Sequence, residues 1–422
     1  MKTKILLGCF LIGTLLASCS EKMNESEGES TPAKSVSLDE SFKVYGNLDG
    51  SFITGISRNA NDVVYPDYYG GSYIDDNGGL VIMTTDSIKS VWDDLKSRTK
   101  SSNFEIRQCK YSLNELQDLN LKLGKIFENR ELANELKWIS VGIDIKNNKV
   151  SVDLEDCSTQ AVDLFKKKVL DSPMLKFNEM SPVVFDSEST IVADSIKVPF
   201  RAAVKSNVHL GSQYSSVGNK AADDATKVRF VASVGCRAMR STSSGYEHGF
   251  VTAAHCLPKL GMKINVGLTD TYLGTVTSVK LNATSDAAFV AVDYDKYYPT
   301  NVTLRTKTAL YDQVLKNASL VGYEVCIEGQ KTPNVVKAKV TELNKKLHVT
   351  KWTPAGQADF YANNLVYGTF TSSQTSEGDS GAIVYVNGYV AGIHCASAGT
   401  THIFSSAELA LKDLGLTNVW EK

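Results

Sequence analysis

Short runs of alternating apolar and polar residues open the globular part of the chain. Gly71 to Ile82 reads as two strands joined at Asn77-Gly78, a tight-turn dipeptide. Apolar positions then recur at helical spacing from Ser87 to Ser97. The same succession returns later. Ser140 to Val152 flanks Asn147-Asn148 with two more strand-like runs, and Thr159 to Leu170 follows with helical spacing. Between these units, Ser112 to Leu136 predicts one or two helices. A hairpin followed by a helix, used twice, is an α+β unit. After residue 206 the pattern changes to short β-branched runs: Val228–Val234, Thr275–Val279, Ala382–Val386 and Tyr389–Ile393. Asn387-Gly388 separates the last two as a further hairpin turn.

The first residues belong to neither pattern. Met1 to Lys4 is basic, and Ile5 to Leu16 is apolar but too short to cross a hydrocarbon core of roughly 30 Å. This is a signal peptide. Leu16-Ala17-Ser18-Cys19 resembles a bacterial lipobox, which implies lipidation at Cys19. The polar, acidic run after it reads as a flexible tether. The expected organisation is a signal peptide over 1–18, a tether over 19–40, a first domain over 41–205 and a second over 206–422.

Composition narrows the function classes. The chain has 422 residues, 42% of them hydrophobic, which is enough for sizeable cores. A net charge of −2 and the lack of basic runs interleaved with aromatics argue against nucleic acid as a partner. Eight cysteines include Cys9 and Cys19 in the leader, and none has C-x-x-C spacing, so neither a zinc site nor any other cofactor is expected.

The chemistry lies in two motifs. Gly249 to Cys256 contains Thr252-Ala253-Ala254-His255-Cys256, and Glu377-Gly378-Asp379-Ser380-Gly381 follows downstream. A serine hydroxyl is a poor nucleophile unless an imidazole takes its proton, and the imidazole needs a carboxylate to hold its tautomer. Together the motifs resemble the histidine and serine loops of a chymotrypsin-like serine peptidase, whose chain order is His, Asp, Ser. Asp286, at the start of the strand-like run Ala287–Val292, is the candidate carboxylate. Asp293 and Asp295 sit in a polar strand end and read as solvated turn residues. Gly378 permits the turn that aims its own N–H and that of Ser380 at an oxyanion.

Further stretches resemble the streptogrisin and alpha-lytic branch of that family: the hairpin–helix repeat its pro-region, Asn207 to Tyr214 its mature start, Val321 to Gln330 the strand opening its second barrel, and Ser405 to Leu416 its C-terminal helix. The resemblance implies a mostly β fold of two antiparallel Greek-key β-barrels preceded by a smaller α+β pro-domain. It also implies a Cys236–Cys256 disulfide, and an Asp379 that meets a new N-terminus or is held by hydrogen bonds. The chain departs from the family in two bridges. Val335 to Ala338 lacks the cysteine expected to pair with Cys326, and the bridge around the serine loop is missing. The pairing of Cys326, Cys395, Cys109 and Cys157 stays open. Ala382 replaces the usual glycine.

The resulting expectation is a serine endopeptidase made as a zymogen. Its partners are peptide substrates, its own pro-domain and, through the lipid alone, a membrane of the bacterial cell envelope. Maturation is expected to remove residues up to about Lys205. The alternative is an inactive surface lipoprotein that binds with the same fold. An esterase is disfavoured, because the strand–Gly-x-Ser-x-Gly–helix elbow is absent. The pocket is expected to involve Gln374, Glu377, His394 and Ser397. Ser372 to Ser376 offers no carboxylate for a basic side chain. His394, with Ser397 as a second donor, favours an acidic one. Glu377 counts against that if it faces inward, and a neutral pocket is the other reading.

Overall fold

A computed structural model describes residues 37–53, 64–185, 188–191, 205–220, 223–281, 284–316, 320–353 and 356–417. The signal peptide, Cys19 and most of the tether lie outside these residues.

The hairpin–helix repeat is present, with one strand more per unit than the pattern predicts. In the first unit Tyr69–Ile74 and Leu80–Thr84 form the hairpin, Ile88–Thr99 the helix, and Glu105–Gln108 returns parallel to Leu80–Thr84. In the second, Trp138–Asp144 and Lys149–Leu154 are followed by the helix Thr159–Lys168 and a parallel strand, Leu175–Glu179. Local chemistry sets the boundaries. Gly78 and Asn148 take the positive φ their turns need, and Ser87 and Ser158 cap the two helices. The stretch from Ser112 is two helices, Leu113–Phe127 and Arg130–Glu135. Ser112 and Glu115 form a reciprocal capping box at the first.

The second half is β throughout, apart from the helix Ala407–Leu414. Eight strands form one antiparallel sheet, in the order Arg237–Thr242, Gly245–Thr252, Ala287–Val292, Tyr272–Lys280, Lys263–Val266, Gln213–Asn219, Lys227–Ser233 and Glu188–Ile191. Six others close on themselves: Glu324–Glu328, Ile383–Val386, Tyr389–Ala398, Thr401–Ser406, Gly356–Phe370 and Val336–Thr353, which pairs back with Glu324–Glu328. Closure of this kind leaves no free sheet edge. The fold class read from the sequence, mostly β behind a smaller α+β unit, is the observed one.

The last two strands of that ring form a hairpin longer than the barrel needs. Its far end carries the pro-domain: Val141 and Ile143 pair antiparallel with Lys346 and Leu343. Closer in, Ser72 and Tyr73 pair parallel with Leu320 and Val321. The two halves are therefore continuous sheets, and the pro-domain core runs without a break into that of the second barrel.

Candidate active site

His255 lies just past the end of the Gly245–Thr252 strand, Asp286 just before the Ala287–Val292 strand, and these two strands are paired neighbours. That adjacency brings the imidazole and carboxylate together. Asp286 Oδ2 lies 2.5 Å from His255 Nδ1, and Oδ1 accepts the His255 backbone N–H at 2.8 Å. The second contact fixes the carboxylate plane as well as its distance. Ser380 comes from the turn before Ile383–Val386 in the closed barrel, and its Oγ lies 2.9 Å from His255 Nε2. All three side chains are buried. The structure thus brings His255, Asp286 and Ser380 together. Asp293 instead closes a surface turn with Lys296.

The electrostatics suit a base. Burial alone would lower the His255 imidazole, but the Asp286 charge overrides this and raises it above its ordinary value. Burial likewise pushes the Asp286 carboxyl up, and the charge and hydrogen bonds of His255 bring it below the usual range. Behind the pair, Ser405 Oγ accepts the Asp286 N–H at 2.8 Å. The Cys395 thiol beside them is held protonated by burial and by the Asp286 charge.

The serine loop is shaped around Asp379. Its carboxylate accepts the Lys331 N–H at 2.8 Å, the Ser376 N–H at 3.0 Å, the Thr332 N–H at 3.2 Å and the Thr332 hydroxyl. Hydrogen bonds to the loop thus hold Asp379, with no chain terminus among them. Gly329 is glycine for this reason, since a Cβ there would stand 2.2 Å from Asp379 Oδ1. Gly378 takes φ +99°, a conformation that favours glycine. Among the described residues neither its N–H nor that of Ser380 has a hydrogen-bond partner. Two free donors on one turn next to the nucleophile can stabilise negative charge developing on an acyl oxygen.

The expected Cys236–Cys256 bridge is not formed; both are buried free thiols. They point into separate cores. Cys256 packs with Tyr214 and Leu257 inside the first sheet, whereas Cys236 packs with Ala238, Ile383 and Leu411 between the barrels and the C-terminal helix. Burial pushes the Cys236 thiol up to about 12, so it behaves as a small apolar side chain. Cys109, Cys157, Cys326 and Cys395 are free as well.

Of the expected pocket residues, Gln374 and Glu377 are exposed on the loop. His394 is fully buried behind the serine loop, its carbonyl accepting the Gly381 N–H at 2.8 Å. Ser397 is half-buried, on the same strand as His394. His402 escaped the sequence reading. It stacks on His394, with Nε2 3.0 Å from His394 Nδ1, and Phe404 stacks on its other side. Burial, then the neighbouring His394 charge, holds His402 well below its ordinary value. A histidine across one hairpin turn from another was the available signal. Among the described residues no cluster of acidic, histidine or cysteine side chains could hold a metal ion.

The sequence matches family models of a Pro-like N-terminal domain over residues 22–109 and a Pro-like C-terminal domain over residues 114–180. No curated protein matches it. Solved structures that resemble it include a Nocardiopsis protease, 20% identical over 50% of this chain and 98% of that one, with a TM-score of 0.35. A glutamic acid specific serine protease is 21% identical over 50% of this chain and 99% of its own, with a TM-score of 0.36. An alpha-lytic protease homolog is 17% identical over 51% and 100%, with a TM-score of 0.35.

Proposed function

We propose that the chain is a serine endopeptidase made as a zymogen and carried to the cell envelope by its signal peptide and Cys19. The observation behind this reading is the unbroken contact from Ser380 Oγ through His255 to Asp286, at 2.9 and 2.5 Å. His255 takes the hydroxyl proton as Ser380 Oγ attacks the scissile carbonyl carbon. Asp286 stays ionised, holds Nδ1–H toward itself and stabilises the imidazolium. The N–H groups of Gly378 and Ser380 take the charge on the carbonyl oxygen. His255 then gives its proton to the departing amine. Water deprotonated by the same imidazole hydrolyses the acyl-enzyme and restores Ser380.

The residue before the cut is acidic in this reading. His394 supports this reading: His402 Nε2 lies 3.0 Å from its Nδ1 and the two rings stack, which orients an imidazole of the kind that can donate to a carboxylate. Ser397 is a further donor on the same strand as His394, and Glu377 is exposed on the serine loop. Residues up to about Lys205 serve as the pro-domain. Labelling with an active-site phosphonate tests the enzyme reading directly. Covalent modification at Ser380, lost in Ser380→Ala, is expected; a correctly folded, processed protein that takes no label would be a binding protein instead.

A further inference from the structure

Only the base of the long hairpin, Val336–Thr353 and Gly356–Phe370, belongs to the closed barrel. Leu365–Thr369 pairs there with Thr401–Ser405. From Leu365 out to Gly356 the ladder continues for about 30 Å, at roughly 3.3 Å per residue. That outer part does not stand in solvent. Val349, Ala358 and Phe360 share a core with Ala396 and Ala398, so the hairpin lies along the strand that carries His394 and Ser397. Sheet pairing with the pro-domain stops at Leu347, and the hairpin end beyond it crosses to the first sheet. Trp352 Nε1 donates to the carbonyl of Asn219, the last residue of the Gln213–Asn219 strand, at 2.9 Å. Lys351 and Trp352 line one narrow gap with Tyr214, Phe230 and His255. About 10 Å³ is open there, room for a single water and for no side chain. The closed barrel therefore reaches across beside His255 and takes hold of the first sheet.

A short stretch of chain already lies against this arm and reveals how the groove treats a backbone. Val184 pairs antiparallel with Ser397. Its N–H donates to the Ser397 carbonyl at 2.7 Å, and the Ser397 N–H donates to the Val184 carbonyl at 3.0 Å. Successive residues of an extended strand turn their N–H and C=O groups to opposite edges. The Phe185 carbonyl therefore faces away from Ser397, and Lys351 Nζ donates to it at 2.5 Å. The Phe185 ring packs on His255, with centroids 5.2 Å apart. One edge of the strand is held by Ser397 and the other by Lys351. Neither contact reads a side chain, so any extended chain placed there can make both.

We propose that Lys351 and Trp352 make the hairpin end a strap across the substrate groove, one that admits a single extended strand and shuts out folded polypeptide. The proposal rests on the peptidase reading above and names its substrate class, peptides and unfolded protein segments. Lys351 binds a main-chain carbonyl of the substrate whatever its sequence. Trp352 holds the strap to the first sheet. A lone strand needs only the width of one backbone between Ser397 and Lys351. A loop braced by its own fold brings a second layer about 10 Å behind the first, into space the hairpin fills. The Trp352 anchor joins two parts of the second half, so it is not lost with the pro-domain.

The test presents one sequence that the enzyme cuts in two forms, as a free peptide and inside a disulfide-closed loop of a small folded carrier. It uses the full chain, left to mature, and its Trp352→Ala, Trp352→Phe, Lys351→Ala and Lys351→Arg variants. The parent should cut the free peptide faster by about a hundredfold or more. Trp352→Ala should narrow that ratio about tenfold by speeding the loop, and Trp352→Phe, which keeps a ring without the N–H, about threefold. Lys351→Ala should raise KM about tenfold with kcat little changed. That factor should be the same for peptides of unrelated sequence, and Lys351→Arg should restore the parental KM. Labelling of Ser380 by a small phosphonate should proceed at the parental rate in all four variants. An unchanged ratio in a Trp352→Ala enzyme that labels overturns the strap. Where that variant does not label, an unchanged ratio in Trp352→Phe overturns it instead. A Lys351→Ala loss confined to certain sequences, or falling on kcat, overturns the backbone contact. Each of these failures leaves the peptidase reading standing, whereas a folded parent that takes no label ends both.

Discussion

Two of the places where the chain fully buries charge are built in opposite ways. His255 and Asp286 come from neighbouring strands of one sheet, face each other at 2.5 Å, and leave one ring nitrogen for Ser380. Lys345 lies on the long hairpin and is equally buried. It pairs with Glu342 of the same strand at 2.7 Å and with Asp153 of the pro-domain at 2.5 Å. Ser151 and Ser140 of the pro-domain donate to the two carboxylates. The first pair is closed within one half and belongs to the chemistry. The second straddles the joint, so its satisfaction depends on the pro-domain staying docked. A buried ion pair adds little net stability, whereas stripping one partner from the other costs a great deal. The same physics serves a proton transfer in one place and a reversible clasp in the other.

Cutting the first pair should have the largest effect. Ser380→Ala or His255→Ala should lower peptide hydrolysis by about a millionfold, each alone doing nearly what both do together. Asp286→Asn should cost about ten-thousand-fold by favouring the wrong imidazole tautomer. Docking of the pro-domain, measured by sedimentation with the two halves supplied as separate chains, should not change in Ser380→Ala. Full activity in that variant would end the triad assignment.

Cutting the second pair should do the reverse. Asp153→Ala leaves Lys345 buried without its cross-domain partner, which costs about 3–5 kcal/mol and weakens pro-domain affinity by at least a hundredfold. Adding Lys345→Met should recover much of that loss, because an apolar side chain of similar length has no charge to strand. Activity per released peptidase should be unaltered. Acid should loosen the same joint. Burial pushes the Glu342 carboxyl up, and Lys345 brings it below the usual range, so its contribution is present above about pH 4.3 and is lost as pH falls through the depressed value. Titration of docking at neutral pH should be flat.

How far each region was legible follows from how local its signals are. His255 and Ser380 lie inside short motifs, and Asp286 opens a strand with a clear apolar pattern, so all three could be read along the chain. Helix caps and Asn-Gly turns were legible for the same reason. Lys345, in Asn344-Lys345-Lys346, looks like any solvated charge run, and only the approach of Trp138–Asp144 buries it. Gly142 makes the room, since a Cβ there would meet the Lys345 Cδ at 2.1 Å. The returning strands Glu105–Gln108 and Leu175–Glu179 are short and carry polar residues, so periodicity missed them. The disulfide expectation failed because a family pairing says nothing of which core each thiol enters. Val184 and Phe185 carry no mark of their own, and their place is set by Ser397 and His255, both far along the chain.

The specificity wall makes a smaller difference than either charge pair. His394→Ala should reduce the preference for Glu or Asp before the cut by about ten- to a hundredfold, since one charge-assisted contact of about 1.5–3 kcal/mol is lost. His402→Phe keeps the stack with Phe404 but removes the hydrogen bond to His394. It should lower the same preference by about tenfold or less, through a rise in KM with little change in kcat. Cleavage profiling of a mixed peptide library reads both. An unbiased profile in the parent enzyme would favour the neutral pocket.

The smallest effect is the most direct measure of how the first pair is tuned. Burial lowers the His255 imidazole and the Asp286 charge more than reverses it, so the folded value lies above the ordinary one near 6.5. Only the neutral ring can take the Ser380 proton. The acid limb of kcat/KM for the processed enzyme should therefore have its midpoint above about pH 6.5, with activity falling as protons are added. Asp286→Asn removes the charge that raises the ring while leaving its burial, so the residual activity of that variant should show a limb moved toward acid. If the limb stays put in Asp286→Asn, the carboxylate orients the ring without setting its basicity, and the contrast with the Lys345 cluster would be one of geometry alone.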